Sequence, residues 1–423
     1  MSRQGTSRLR ALGPGLLLAG AAIGVSHLVQ ATRAGADFGF ALWWVILFAC
    51  LTKYPFLEFG PRYAAATGNT LIVGYRSLGK APFLLFGLFT LGTMFIIQAA
   101  VTLVTAGLAE QLFGLGFSPF VWSAAILAAC VGLLFFGRYR GLDLTMKAII
   151  SVLAVGTLIA VLLAFGAGAA SEVAAREAPP YFTAAGVAFL IALVGWMPIP
   201  LDAAVWHSIW NQDKARQAET TYTLRETLVD FNVGYGVAAG LGFLFLILGA
   251  LVMFPTGQSF AAQSVAFSGQ LADLYAETLG AWSRPVVSVA ALITMFSTTL
   301  AVTDAYPRVI THLLATYRDE PSSPTASKRA SRTYNLSLAV IPVVSLGVLY
   351  FFTGAFTTLV DFAAGIAFVS APVLAYFNYR LVTAAEFPEA ARLGPVYRGF
   401  SAMCLVLLAL FAVAYLVWRV GLI

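Results

Sequence analysis

The feature that most constrains the fold of this chain is a series of long apolar stretches. A helix needs about 20 mostly apolar residues to cross a membrane. Eleven stretches of the 423-residue sequence qualify, at about 12–31, 38–59, 82–106, 118–136, 145–167, 183–208, 231–254, 285–305, 335–353, 356–378 and 399–420. Charged residues are only 10% of the chain, whereas a soluble protein has about 25%. The sequence therefore predicts an all-α integral membrane protein with 11 transmembrane helices, and it excludes a soluble enzyme and a nucleic-acid-binding domain.

The lysines and arginines between the spans predict the orientation, because cytoplasmic loops are enriched in these residues. With a cytoplasmic N-terminus, 20 of the 25 Lys and Arg lie on the cytoplasmic side. Lys53 lies inside a span, and the other side holds four arginines, Arg33, Arg176, Arg284 and Arg419. An odd number of spans then places the C-terminus outside. We expect a multi-pass protein embedded in the lipid bilayer of a bacterial-type plasma membrane.

Two of the predicted spans contain helix-breaking residues beside ionisable ones. The first span contains Gly24-Val25-Ser26-His27, and the sixth contains Trp196-Met197-Pro198-Ile199-Pro200-Leu201-Asp202. Each proline removes a backbone donor and clashes with the preceding turn, so the sixth helix is expected to break. Free backbone groups at membrane depth are tolerated only around a buried site or a cavity. Ordinary kinks, which are common in membrane helices, are the alternative interpretation.

The positions of these two spans matter as much as their residues. They open successive sets of five spans, and because five is odd, the second set is inserted upside down relative to the first. Matching interruptions in two inverted halves are typical of a secondary transporter that binds its substrate near the midplane. We predict a single transmembrane transporter domain over residues 1–423, with repeat one at about 12–167, repeat two at about 183–378 and an extra helix at about 399–420.

Several short segments share the pattern of a known family. In the first two spans they are Gly13-Pro14-Gly15, the segment 34–45 and Ala66-Thr67-Gly68. In the sixth and eighth spans they are Met197-Pro198, His207-Ser208 and Phe296-Ser297-Thr298-Thr299-Leu300. These segments resemble the NRAMP divalent-metal transporter family. The resemblance implies the LeuT-type fold, a 5+5 inverted repeat plus one extra helix, with alternating access and proton-coupled symport of manganese or iron.

The motifs that bind the metal in that family differ in this chain. The family's Asp-Pro-Gly-Asn in the first helix is replaced by Gly24-Val25-Ser26-His27, so the aspartate is absent. The family's Met-Pro-His in the sixth helix aligns with Met197-Pro198-Ile199, or places Asp202 at the histidine in a second register. In the third helix, Gln98 and Val101 stand where the family has an Asp and a Glu. The resemblance therefore implies a remodelled substrate site.

Ionisable side chains inside a span cost about 2.5–3.5 kcal/mol on insertion scales, so each is a candidate functional residue. His27 is predicted to ligate a metal, to carry a proton, or to hold the unwound segment by a hydrogen bond. Asp202 is predicted to supply negative charge, to bind an ammonium group, or to cap the next helix. Met197 is either a soft ligand or a packing residue. Together they form a nitrogen, sulfur and oxygen set that suits a transition metal.

Further polar residues complete the predicted site. The predicted substrate-binding residues are Gly24, Ser26, His27, Trp196, Met197, Asp202, Gln98 and Asp361. The predicted proton-carrying or gating residues are His27, His207, Glu58 and Lys53. Glu58 lies one helical turn before Arg62, which indicates a structural salt bridge or an inner gate. Asp230 is expected to cap the start of the seventh span.

Three functions remain open at this stage. The first is secondary-active transport of a divalent metal ion, and the second is transport of a small, amino-acid-like organic solute. The indole of Trp196 suits either a cation or an organic solute through its π face. The third is a non-transporting sensor or scaffold. No motif of an enzyme is present, and no cofactor is predicted other than the transported metal ion, with protons as candidate coupling ions.

Overall fold

The computed structural model describes residues 13–136, 139–217, 222–319, 324–352 and 356–419, and no strand occurs in these residues. The first half of the described chain forms helices α1 Pro14–Ala22, α2 Thr32–Phe38, α3 Trp43–Thr67, α4 Leu71–Leu78, α5 Lys80–Phe113, α6 Pro119–Phe135, α7 Tyr139–Gly166 and α8 Ala169–Ala175. The second half forms α9 Ala184–Trp196, α10 Ala203–Gln217, α11 Leu224–Val252, α12 Ser264–Leu279, α13 Ser283–Tyr317, α14 Pro324–Phe352, α15 Phe356–Thr383 and α16 Pro395–Arg419.

Every predicted span overlaps at least one of these helices. In the described chain, six helices are long and apolar enough to cross a membrane on their own, and the bent pair at the end of α7 and α8 makes a seventh candidate. Helices α6 and α9 are apolar but shorter. The multi-pass, all-helical architecture is confirmed, while the count of eleven spans stays a prediction. The predicted span edges at residues 12, 353 and 420 lie outside the described residues, as do both chain ends.

The predicted cap at the start of the seventh span is wrong. Helix α11 begins at Leu224, where Thr223 and Glu226 form a capping box, an arrangement that satisfies two orphan backbone donors at once. Asp230 lies almost two turns inside the helix. Its carboxylate accepts hydrogen bonds from the backbone N–H groups of Gly13 and Gly15, at 2.9 and 2.7 Å. Asp230 therefore caps α1, and it fastens the first span to the seventh.

Close backbone contacts pack the two interrupted spans against their neighbouring helices. A Cβ atom added at Gly35 in α2 would lie 1.9 Å from the carbonyl oxygen of Leu246 in α11. A Cβ added at Gly195 in α9 would lie 2.0 Å from the carbonyl oxygen of Ala364 in α15. Small residues allow such approach between membrane helices. Glycine therefore fixes how closely the first and sixth spans pack on their neighbours.

Candidate substrate-binding site

The first interruption, called the first break, lies at Ile23 and Gly24. Helix α1 ends at Ala22, and a π-helical segment, Val25–Ala31, leads into α2. A Cβ added at Gly24 would lie 2.7 Å from Thr298 Oγ1 of α13, so only glycine fits here without a shift. π-Helical turns are rare and are frequent at functional sites.

The second interruption, called the second break, covers residues 197–202 between α9 and α10. Met197 N donates to Leu193 O, which is the last backbone bond of α9. The Met197–Pro198 peptide bond is cis. In a continuous helix Gly195 O would bind the N–H of Ile199, which belongs to the break. Ile199 O would bind the N–H of Ala203, which here donates to Pro200 O instead.

Ser26 connects the two breaks. Its Oγ lies 2.7 Å from Ala22 O, at the end of α1, and 3.1 Å from Pro198 O, inside the second break. The same oxygen lies 2.7 Å from Nδ1 of His27. A hydroxyl has one hydrogen to donate and two lone pairs, so these contacts compete for it. The Ser26 hydroxyl therefore contacts the backbone at both breaks.

His27 is fully buried and both of its ring nitrogens have partners. Nε2 lies 2.7 Å from the carbonyl oxygen of Ala238 in α11. A carbonyl only accepts, so Nε2 carries the hydrogen and donates it. Nδ1 faces Ser26 Oγ. Of the three roles predicted for His27, this geometry favours the hydrogen bond that holds the unwound segment against α11.

The other two predicted metal ligands have surroundings of their own. Met197 is fully buried, and its sulfur would lie 2.8 Å from a Cβ added at Gly242 in α11. Asp202 Oδ2 lies 3.5 Å from the hydroxyl of Tyr306 in α13, and Oδ1 has no hydrogen-bond partner in the described chain. The described residues contain no cluster of three or more His, Cys, Asp or Glu side chains that suits a metal. The metal set His27, Met197 and Asp202 stays a prediction.

Two small cavities flank the second break. The first cavity, of about 30 Å³, lies between the two breaks and includes Ser26, Trp196, Ile199 and Thr298 in its lining. The second cavity, of about 10 Å³, is lined by Thr90, Thr93, Asp202 and Ser370 among others. A water needs about 10–15 Å³ of such space, so the first cavity has room for about two waters and the second for about one.

Trp196 brings an unused hydrogen-bond donor to the first cavity. Its side chain is 3% exposed, and its Nε1 has no partner in the part of the chain that the structure describes. Thr298 contributes a hydroxyl, which lies 3.0 Å from Gly20 O and 3.2 Å from Thr294 O. Sequence reasoning missed Thr298 as a site residue. The available signal was its position in the segment 296–300, which resembles the eighth helix of the family.

Lys53 in α3 is fully buried and binds the free backbone of the second break. Its Nζ lies 2.8 Å from Gly195 O and 3.3 Å from Ile199 O. In the described chain no carboxylate lies within salt-bridge distance of this ammonium group. The sequence identifies Lys53 as an ionisable group in a span, and the structure adds that its partners are the two carbonyl oxygens of the broken helix.

An ion pair joins α2 to α15 on the side predicted to be outside. Arg33 Nη1 lies 2.8 Å from Asp361 Oδ1, and Gln30 Nε2 donates to the same oxygen at 2.9 Å. The guanidinium also lies 4.9 Å from the ring centre of Phe189 in α9. Asp361 was predicted to bind substrate. In this conformation it lines neither cavity and is held in this pair, called the outer ion pair.

A second group of charges lies on the side predicted to be cytoplasmic. Arg308 in α13 pairs with Asp213 in α10, and with Asp304 at 2.7 Å. Tyr334 in α14 donates to Asp304 at 2.6 Å. We call the contact between Arg308 and Asp213 the inner ion pair. It joins the end of the sixth span to the eighth.

The predicted pair of Glu58 and Arg62 is present and buried. Arg62 Nη2 lies 2.7 Å from Glu58 Oε1, and Arg62 Nη1 donates to Ala391 O at 2.8 Å. The guanidinium therefore links α3 to the segment that precedes α16. This geometry favours the structural salt bridge over a gate.

Two further predicted residues line neither cavity. Gln98 Nε2 donates to Thr102 Oγ1 at 3.2 Å, and Thr303 Oγ1 donates to Gln98 Oε1 at 3.4 Å, so Gln98 links α5 to α13. His207 is fully buried in α10 with its ring centre 5.8 Å from that of Phe231. Neither of its nitrogens has a hydrogen-bond partner among the described residues. Its predicted part in proton transfer stays a prediction.

Comparison with known proteins agrees with this architecture. Residues 15–418 match the family model Nramp, natural resistance-associated macrophage protein-like. The chain is 34% identical over 385 residues to the uncharacterized protein PM0681 of Pasteurella multocida (strain Pm70), covering 90% of this chain and 86% of that protein.

Solved structures share the fold at low sequence identity. A mutant of the manganese transporter of Eremococcus coleocola superposes with a TM-score of 0.70 at 16% identity, covering 97% of this chain and 86% of that one. MhsT in complex with L-phenylalanine superposes with a TM-score of 0.66 at 13% identity, covering 94% and 98% of the two chains. These likenesses confirm the predicted LeuT-type fold. Because the family model spans nearly the whole sequence, the chain belongs to the Nramp family of membrane transporters.

Proposed function

We propose that this protein is a secondary-active transporter that works by alternating access and binds a small polar organic solute between its two helix breaks. The observation that carries the proposal is the lining of the first cavity. It includes the hydroxyls of Ser26 and Thr298 and the indole of Trp196, and it includes no carboxylate and no thioether. A doubly charged ion at membrane depth needs nearby negative charge. The indole N–H of Trp196, which has no partner in the described chain, instead suits a carboxylate or carbonyl oxygen of an organic solute.

Alternating access is supported by the two ion pairs at opposite ends of the molecule. The outer ion pair, Arg33 with Asp361, and the inner ion pair, Arg308 with Asp213, are both formed in this conformation. The cavity between them has room for only about two waters. An organic solute consequently requires one end to open and the cavity to widen, which is the rearrangement that alternating access provides.

A divalent metal ion is the second candidate substrate, because one observation favours it. Asp202 Oδ1 has no partner in the described chain and lies beside the second cavity, near the hydroxyls of Thr90, Thr93 and Ser370. Carboxylate and hydroxyl oxygens with bound waters suit hard divalent ions such as Mg²⁺. Family membership adds to this candidate, since Eremococcus coleocola has a related manganese transporter.

Uptake into proteoliposomes separates the two candidates. Radiolabelled amino acids are tested alongside Mn²⁺ and Mg²⁺, with wild type, Trp196→Phe and Asp202→Asn. Trp196→Phe removes the N–H donor and keeps an aromatic ring, and the exposed Trp282 provides the matched control Trp282→Phe. We expect saturable amino-acid uptake whose half-saturating concentration rises about 5-fold or more in Trp196→Phe, since one hydrogen bond contributes about 1 kcal/mol.

The competing outcomes are distinct. Saturable Mn²⁺ or Mg²⁺ uptake that Asp202→Asn abolishes and Trp196→Phe retains would replace the organic solute by the metal. An absence of flux for every solute and ion, in protein that is monodisperse and thermally stable, would leave the sensor or scaffold as the remaining hypothesis.

A further inference from the structure

The buried ammonium group of Lys53 has an unusual set of partners. Its Nζ donates to Gly195 O and Ile199 O, at 2.8 and 3.3 Å, and its side chain is fully buried. A buried charge normally needs an ion-pair partner or a metal. Here the compensation comes from backbone carbonyls at the C-terminal end of α9 and in the second break.

These carbonyl oxygens are the kind of group that binds a free cation. The last carbonyls of a helix lack intrahelical donors, and the helix dipole adds partial negative charge at that end. In transporters with broken helices, unwound carbonyls and half-helix C-termini coordinate Na⁺ or protons. A lysine ammonium also carries one positive charge, and its three N–H donors can bind several oxygens at once.

We propose that the carbonyl oxygens of Gly195 and Ile199 form a monovalent-cation site. The ammonium group of Lys53 occupies this site, as a covalently attached substitute for a free coupling cation. A free Na⁺ ion binds at this position only when the side chain of Lys53 is removed. The site adjoins the first cavity, because Ile199 lines that cavity, whereas Lys53 does not.

The consequence for transport rests on the proposed function. With a resident cation in place, uptake does not require external Na⁺, and the fixed positive charge beside the second break disfavours a divalent ion there. The first break also disfavours a divalent ion, since Gly24 stands where the family has an aspartate. The first break therefore offers a free metal ion no carboxylate, whereas at the second break the only carboxylate is that of Asp202.

The test uses Na⁺ itself as the probe and does not depend on transport. Wild type, Lys53→Ala and Lys53→Met are purified in detergent, and their melting temperatures are measured in NaCl and in choline chloride at equal ionic strength. Binding of ²²Na⁺ is measured on the same samples. Lys53→Ala removes the ammonium and opens space, whereas Lys53→Met fills that space with an uncharged chain of similar length.

We expect the wild type to melt at the same temperature in both salts and to bind no ²²Na⁺. Lys53→Ala is expected to melt lower than the wild type in choline chloride. NaCl should raise its melting temperature saturably, by on the order of 2–4 °C, because a ligand that binds only the folded state stabilises it. It should also bind ²²Na⁺ saturably. Lys53→Met is expected to show neither effect.

Three results would overturn the proposal. The first is saturable ²²Na⁺ binding by the wild type. The second is a Lys53→Ala protein whose melting temperature stays insensitive to NaCl, and the third is a Lys53→Ala protein that remains unfolded even in NaCl. The last two count against the proposal because free Na⁺ should replace the missing ammonium group. None of these readouts uses solute uptake, so failure of the proposed transport function and failure of this inference are distinguishable.

Discussion

Among single residues, His27 makes the contacts that hold the first break in place. Nε2 donates to Ala238 O and Nδ1 faces Ser26 Oγ, both at 2.7 Å. We expect His27→Ala to lower the free energy of unfolding by about 1–3 kcal/mol, because a buried carbonyl loses its donor. Denaturant unfolding in detergent, followed by intrinsic tryptophan fluorescence, measures this change.

The half-buried His312 in α13 provides the control His312→Ala, for which we expect a smaller loss. An unchanged stability of His27→Ala would contradict the hydrogen-bonding role. The metal-binding and proton-carrying roles that the sequence also allows would then regain support.

The sequence identifies the residues of the candidate site better than it identifies their partners. Ser26, His27 and Trp196 stand out because polar or aromatic groups beside helix-breaking residues are unusual within an apolar span. The partner of Lys53 is not predictable in this way. Gly195 is 142 positions away along the chain, and its carbonyl is available only because α9 ends there. Thr298 is equally inconspicuous, since threonine hydroxyls in helices commonly bind the preceding turn.

At the scale of secondary-structure elements, the packing of the first span on α11 depends on Gly35. A Cβ at this position would lie 1.9 Å from Leu246 O, a backbone atom that cannot rotate away. We expect Gly35→Ala to lower the free energy of unfolding by about 1–3 kcal/mol, because the two helices must move apart. The same unfolding measurement in detergent tests this expectation.

Gly87 in α5 is the matched control, because a Cβ there meets nothing within 4 Å. Gly87→Ala should therefore be neutral or stabilising, since alanine is the better helix former by about 1 kcal/mol. Equal destabilisation by both substitutions would show that the close approach of α2 to α11 does not limit the packing.

The elements themselves were predictable to different degrees. Long apolar runs and the prolines of the second break indicate the spanning helices and the interruption of the sixth span. The start of α11 was not predicted correctly, because the capping box at Thr223 and Glu226 lies before the apolar run begins. The π-helical form of the segment Val25–Ala31 was also not predictable, since its residues would fit an ordinary helix and their surroundings come from distant spans.

For the whole molecule, the proposed function implies that the two ion pairs close the candidate site to the two sides of the membrane. The outer ion pair joins α2, which follows the first break and its π-helical segment, to α15. The inner ion pair joins α10, directly after the second break, to α13. Each pair thus involves the helix that follows one break. Under the proposed function, we expect opening at one end to move a segment that also forms the candidate site, so that a rearrangement at the site is coupled to access.

Neutralising one pair should open one side only. Val25 lines the first cavity and is 3% exposed, so Val25→Cys reports access to that cavity. In this background we expect Asp361→Asn to increase labelling by a membrane-impermeant thiol reagent from the predicted outside by about 5-fold or more, the lower end of typical coupling between sites. Asp213→Asn should increase labelling from the opposite side, which is measured in inside-out vesicles.

The native cysteines set the background of this measurement, because Cys50, Cys130 and Cys404 are all buried. The same variants without Val25→Cys give their contribution under each condition. Unchanged labelling in Asp361→Asn would contradict the assignment of the outer ion pair as a closure. If Asp213→Asn raised labelling equally from both sides, the charge would be stabilising the fold as a whole, because a one-sided closure changes access from its own side alone.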